Sequence, residues 1–493
     1  MTKLRLLPGL AAGLALAAAP AAAAPEFRGV IETPGAATDL FPTAAPGANT
    51  NRLGGTFSDM AFDRATGTLL SLPDRGPGGG TIPYDVRIEA FSLAVDPASG
   101  AISNLRLTAT TPLTTGGPGN GQAFNGLNPA LLNGNPGALG RSLDPEGLAL
   151  APNGNRYVSD EYGPSVLEFT PSGALVRTLA PPANLLSRQP DGAANFVAGR
   201  PDITSGRQDN RGYEGLALSP DGSKLLAVLQ DPLVNEGAPD GRFSRNVRIV
   251  EYDTATGQAG RQFIYQLDPL AELNPLVPGA PFAANAQGRN IGVSAIVALS
   301  DTEFLVLERD NRGVGVDDPA GSTPVASKRV YRINLAEATD VSGVDLTGTN
   351  ALPAGVVPAS KALFLDVAAA LRAAGQTIPE KLEGLAVGPR LNDGSYALLL
   401  GTDNDFSVTQ NASGLQSDVC IGGGTTAQVP LNGACPAGLA LIPTLLYSFQ
   451  AELPGFVAPT YVPEPASLLL LGAGFAAAGA TRRRREKGQG TAP

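Results

Sequence analysis

Residues 144–150 read DPEGLAL, and near copies stand at 213–218 as YEGLAL and at 382–387 as LEGLAV. Two further stretches, SDMAF at 58–62 and VSAIVAL at 293–299, also set an acidic or polar residue before a small apolar run. A turn rich in Gly, Asp or Asn follows each: DRATG, APNGN, SPDGS, SDTE and GPRLNDGS. Such residues tolerate the left-handed backbone that tight hairpins require. Next comes a second apolar run ending in polar residues: LLSLPDRGP, RYVSDEYGP, KLLAVLQDP, FLVLERDNRG and YALLLGTDND. In most copies a third strand begins, at 86, 165, 247 and 328, and a fourth follows some of them, as in ALVRTL at 174 and GRQFIYQL at 260. Short runs of alternating apolar and polar residues indicate antiparallel strands.

Four strands per copy, repeated around an axis, is the pattern of an all-β propeller. The copies begin at 59, 146, 214, 294 and 383, which is wide for propeller blades, so long loops must be inserted. The expected fold is a β-propeller of about five to six four-stranded blades, with a two-sheet sandwich as the alternative. FRGVIET at 27–33 offers a strand to complete the last blade beside LLYSFQAEL at 445–453. SKALFLDVAAALRAAG at 360–375 has helical spacing and reads as an inserted helix. The stretches 114–143 and 180–212, rich in Gly, Pro and Asn, read as loops.

Inner strands of a propeller bring equivalent residues to one rim. The first set is Asp59, Glu146, Glu214 and Glu383, with Ser294 breaking it; the second is Asp74, Asp160 with Glu161, Asp231, Glu308, and Asp403 with Asp405. So many carboxylates near one axis repel unless cations lie between them, and an all-oxygen set suits Ca2+. The metal candidates are therefore Asp59, Glu146, Asp160, Glu161, Glu214, Glu308, Glu383 and Asp403. The opposing reading is structural: a Glu before Gly can bind backbone amides of the next blade. Arg75 and Arg309 follow second-strand acids and could clamp an anion or pair with a neighbouring acid. Arg211, Tyr213 and Tyr162 stand close to these acids in sequence, where the tyrosines serve either a substrate or the packing.

Composition narrows the chemistry. The chain has 493 residues and no histidine or tryptophan, which excludes Ser-His-Asp and Cys-His nucleophile systems and imidazole-ligated zinc. Acid–base work near neutral pH then falls to carboxylates, Lys, Tyr or metal-bound water. Residues 1–24 read as a signal peptide, with a basic start, an apolar middle and an alanine-rich end. At the other end, residues 461–493 carry Pro463-Glu464-Pro465, a short apolar span and four arginines from Arg482. This order resembles the PEP-CTERM sorting signal of Gram-negative bacteria; an ordinary C-terminal anchor is the alternative. The resemblance implies cleavage by an exosortase after signal peptidase, transient inner-membrane association, and a product at the cell surface or outside the cell. Removal of both ends takes the net charge from −10 to about −15, a surface that repels nucleic acid. Cys420 and Cys435 are the only cysteines, and in an oxidising compartment they are expected to form a disulfide.

DPEGLAL, NRGYEGLALSPDG, VSDEYGPSVLEF, LERDNRG and KLEGLAVG together resemble the family called esterase-like activity of phytase, over roughly residues 50–450. The resemblance implies a propeller-like domain, here 25–460, with recurrent Glu and Asp in metal-assisted hydrolysis of phosphate esters or related esters. Its substrate would be small and anionic, with Glu146, Glu214, Glu383, Arg75 and Arg309 as the catalytic candidates. The main rival is a non-catalytic, calcium-stabilised propeller at the cell surface or in the matrix. A sugar-lactone or quinone-type oxidoreductase propeller is a weaker third, because its ligands are not apparent.

Overall fold

The computed structural model describes residues 23–117 and 121–459; nearly all of the expected signal peptide, 1–24, and the whole of the segment 461–493 fall outside them. Strand β1 spans Glu26–Thr33. The first blade is β2 (Asp59–Asp63), β3 (Thr68–Leu72), β4 (Arg87–Val95) and β5 (Ile102–Pro112). The second is β6 (Pro145–Leu150), β7 (Arg156–Asp160), β8 (Val166–Phe169) and β9 (Leu175–Leu179). The third is β10 (Tyr213–Leu218), β11 (Lys224–Leu229), β12 (Asn246–Asp253) and β13 (Ala259–Gln266). The fourth is β14 (Ile291–Ala298), β15 (Glu303–Asp310), β16 (Lys328–Asn334) and β17 (Ser360–Asp366).

The last blade begins with β18 (Leu382–Arg390) and β19 (Tyr396–Thr402). An insertion then forms a small sheet of β20 (Val408–Gln410), β21 (Gln416–Gly422), β22 (Thr425–Pro430) and β23 (Ala440–Leu441). The blade resumes with β24 (Thr444–Ala451), and β1 pairs with β24 as its outermost strand. The expected closure by FRGVIET is thus present, and it ties the two ends of the domain together. Among the described residues the sheets number six, of which five are blades and the sixth is an insertion within the last one.

The five inner strands, β2, β6, β10, β14 and β18, touch in cyclic order, and β18 returns to β2. Of these, β6, β10 and β18 are almost wholly buried and β2 and β14 partly so, whereas β5 and β9 at the outer edges alternate toward solvent. The core lies between successive blades. Leu70, Val86 and Ile88 of the first pack on Leu148, Val158 and Leu167 of the second. Phe57, Met60 and Leu69 meet Ala386 and Leu399 of the last. No sandwich of two facing sheets is formed.

One expectation needs correction. Residues 360–375 are not a single helix: 360–366 form the outer strand of the fourth blade, and a helix runs only from Val367 to Ala373. The Asp366 side chain accepts from the Ala369 amide and starts that helix. Upstream, β16 offers an unpaired edge with the complementary register, and tertiary pairing overrides local spacing. Cys420 and Cys435 form the expected disulfide, within the insertion. No described helix is long and apolar enough to cross a membrane.

Candidate functional site

The recurrent EGLA stretch has a geometric cause. In β6, Pro145 pairs with Asp160 and Gly147 with Ser159, so Glu146 is an extra residue in a bulge. The same interruption occurs at Glu214 in β10, Ser294 in β14 and Glu383 in β18. A bulge turns the extra side chain out of the regular alternation, and here Glu146, Glu214 and Glu383 all line one cavity at the N-terminal ends of the inner strands. The following glycine allows the next blade to approach. A Cβ on Gly147 would stand 2.8 Å from the Leu216 amide nitrogen, and one on Gly215 would stand 2.7 Å from that of Ile296.

Asp59 does not belong to this set. Strand β2 has no bulge, and Asp59 pairs with Leu72, the register that Gly147 holds in the next blade. Its Oδ2 accepts from the Leu148 amide at 2.7 Å, which is the blade-to-blade role that the structural reading assigned to such acids. Asp160 and Glu308 are likewise engaged elsewhere. Asp160 accepts from the amides of Asp144, Tyr162 and Gly163. Glu308 accepts from the Asp268 amide, the Tyr265 hydroxyl and Lys361. None of the three is among the lining residues of the cavity. The tyrosines are also tied into the packing: Tyr162 donates to Gly126 O, and Tyr213 bonds Tyr252.

The cavity has a volume of about 350 Å3. Its second tier comes from the residue two beyond the bulge-flanking pair on each second strand: Asp74, Glu161, Gln230 and Arg309 line it, and Asp403 stands behind Lys381. In this register Arg309 is equivalent to Asp74 and not to Arg75, so the two arginines are not in matching places. Both nevertheless reach the cavity. Arg75 Nη1 lies 2.7 Å from Asp144 and 3.9 Å from Glu161. Arg309 donates to Ser294 Oγ at 2.9 Å and pairs with Glu383. Arg211 pairs at 2.8 Å with Asp231, which stands behind it. Lys381 bridges Asp403 at 3.0 Å and Asp405 at 2.7 Å.

Acids outnumber bases in the lining, eight to four. Burial, then the neighbouring Glu214, Asp144, Glu383 and Glu161, holds the Glu146 carboxyl well above its ordinary range. Burial also raises Glu214, with Glu161 and Glu383 adding to it and Arg309 and Arg211 opposing. Glu383 is raised by burial against Lys381 and Arg309. Two oxygens in this ring, Glu214 Oε2 and Glu383 Oε2, are buried without a hydrogen-bond partner. Asp74, Asp144 and Glu146 present oxygens within 4.8 Å of one another, as do Asp74, Asp403 and Asp405. Lys381 sits on the latter group and Arg75 on Asp144 of the former, but Glu146 in the former has no cation paired with it among the described residues, which makes that group the candidate cradle for a divalent cation. Its all-oxygen donors and the orphaned oxygens beside it fit a hard ion such as Ca2+.

Several residues at the site were not anticipated from sequence. Lys381, which immediately precedes LEGLAV, lines the cavity, and Asp144, inside DPEGLAL, is fully buried behind it, beside Asp74 and Glu146. Gln230, Asn210 and Glu380 carried no signal.

The family model for esterase-like activity of phytase matches residues 51–406, and that for the PEP-CTERM protein-sorting motif matches 462–485. An uncharacterized secreted protein of Arthroderma benhamiae is 30% identical over 332 residues, covering 57% of this chain. This chain spans 62% of that relative's length. Among solved structures, a luciferin-regenerating enzyme is similar at 11% identity and a TM-score of 0.30, over 88% of this chain and 100% of the other. Kuenenia stuttgartiensis hydrazine synthase is similar at 12% identity and a TM-score of 0.28, over 74% and 80%. Neither likeness bears on function.

Proposed function

This chain belongs to the family of esterase-like activity of phytase, and from that premise we propose that its acidic cavity hydrolyses phosphate esters or related small anionic esters, assisted by Ca2+. The supporting observation is the excess of acids over bases lining the cavity at one end of the blade ring, with one oxygen each of Glu214 and Glu383 buried and unpartnered. Asp74, Asp144 and Glu146 would hold the ion, which when bound polarises an ester oxygen and lowers the pKa of a coordinated water. Arg211, in the loop before the third blade, and Arg309, in the fourth, also line the cavity and would attract the anionic group. Glu214 and Glu383 each keep one oxygen free to accept a proton from the attacking water. Export agrees with the sorting motif, which implies exosortase processing, and with the secreted relative.

The processed protein, residues 25–460, is assayed on phytate and simple aryl esters with calcium and with chelator. Chelation is expected to abolish turnover, and Glu146→Gln to lower kcat/KM by about 10–100-fold. Turnover indifferent to both changes sinks the metal mechanism. Chelator-sensitive melting with no turnover of any ester instead supports the non-catalytic, calcium-stabilised propeller.

A further inference from the structure

Beside the acidic cavity lies a second recess of about 420 Å3, and Asn311, Asp317 and Glu380 line both. Its floor is Phe282, with the Arg312 guanidinium stacked 3.5 Å from the ring centroid. The Asn311 amide donates to Asn290 O at 3.0 Å, which joins two loops and sets two carboxamides on one rim. Neither carboxamide bonds another described residue. Glu380 is held at the junction by its amide bond to Val314 O, and Gly315 leaves space for it: a Cβ there would be 2.1 Å from Glu380 Oε2. That oxygen is buried and unpartnered.

The chemistry of this recess differs from that of the cavity. Free carboxamides both donate to and accept from hydroxyls. Asp317, Asp318 and Glu380 outnumber the one cation, Arg312, in its lining, so a second anionic group is disfavoured there. Resting on the function proposed above, we infer that the recess is its leaving-group subsite and takes a neutral polyhydroxylated alcohol. The substrate is then an ester with one anionic group, and polyphosphates are disfavoured. In the reaction the bond to the alcohol oxygen breaks and a water oxygen replaces it. One water proton passes to a cavity carboxylate and a proton from the cavity passes to the alcohol oxygen, so the water supplies both and no further reactant is needed.

The test compares the processed protein with an Asn290→Ala/Asn311→Ala variant on methyl phosphate, glucose 6-phosphate and phytate. The wild type is expected to prefer the sugar monoester, with phytate the poorest substrate. In the variant the sugar-to-methyl ratio of kcat/KM is expected to fall about tenfold, as for the loss of one or two hydrogen bonds. Phytate turned over as well as the sugar ester, or an unchanged ratio, overturns the subsite while the hydrolase reading stands. If no ester is turned over, that reading fails, and the recess is judged by saturation-transfer NMR with free sorbitol. Binding lost in the variant then supports polyol recognition alone, the leaving-group role having failed with the hydrolase reading, and no binding to the wild type overturns that too.

Discussion

At the residue scale, a one-residue insertion decides which acids face the cavity. SDMAF and PEGLAL look equivalent in sequence, yet the bulge at Glu146 shifts the register by one, so Asp59 matches Gly147 instead. A bulge is set by how a strand meets its neighbours, so composition alone did not separate the clasp at Asp59 from the ring at Glu146, Glu214 and Glu383. Glu380, which no repeat pointed to, carries a measurable consequence. Burial first, then Asp405 and Asp317, pushes its carboxyl from 4.5 up to about 7, against Lys381 and Arg309. The folded protein therefore holds a proton that the unfolded chain releases between those values. Its contribution to stability is complete below pH 4.5 and is lost as pH rises through about 7. In chelator, Glu380→Gln should reduce the fall in unfolding free energy between pH 4.5 and 8 by on the order of 2 kcal/mol. Urea titrations at the two pH values measure it, and an unchanged slope would show that Glu380 is ionised throughout.

At the element scale, the strands that alternate cleanly were legible, and the hairpins of all five copies are where their turns placed them. The elements that escaped are those whose pairing comes from elsewhere. Strand β17 carries a helix-like sequence but completes an edge, and the insertion sheet interrupts a blade without any repeat of its own. That sheet bears on the site, because Val408, Thr409 and Gln410 line the cavity rim. Residues 405–407 leading into it all have positive φ, a strained run for non-glycine residues. It is held by Arg52, which grips Asp418 at 2.7 and 2.8 Å, by Val419 packed on Val316, and by the disulfide. A loop of about 15 residues contributes roughly 3 kcal/mol through the disulfide. Cys420→Ser/Cys435→Ser should therefore speed amide exchange in 408–442 while the blade strands stay protected. Faster exchange in the blades as well would show that the insertion is part of the cooperative core.

At the scale of the whole molecule, the axis has two unlike ends. The N-terminal ends of the inner strands surround the acidic cavity, and their C-terminal halves surround an apolar recess of about 150 Å3. Phe456 and Pro459 line that second recess, with the Val457 amide bonded to Leu299 O, so the described chain ends at the apolar face. The sorting motif at 462–485 begins three residues later. If that segment holds the chain at a membrane, the apolar end is expected to face the bilayer and the acidic cavity the open compartment. Single cysteines report this without relying on catalysis: Gln410→Cys on the cavity rim and Ala65→Cys at the apolar end are both exposed. When the protein is anchored through a C-terminal membrane helix after Pro459, a bulky maleimide should react with the Ala65→Cys variant several-fold more slowly than in the released protein. The Gln410→Cys variant should react at the same rate in both. Protection of the rim cysteine instead would place the cavity against the membrane and remove its access to soluble esters until the anchor is cut.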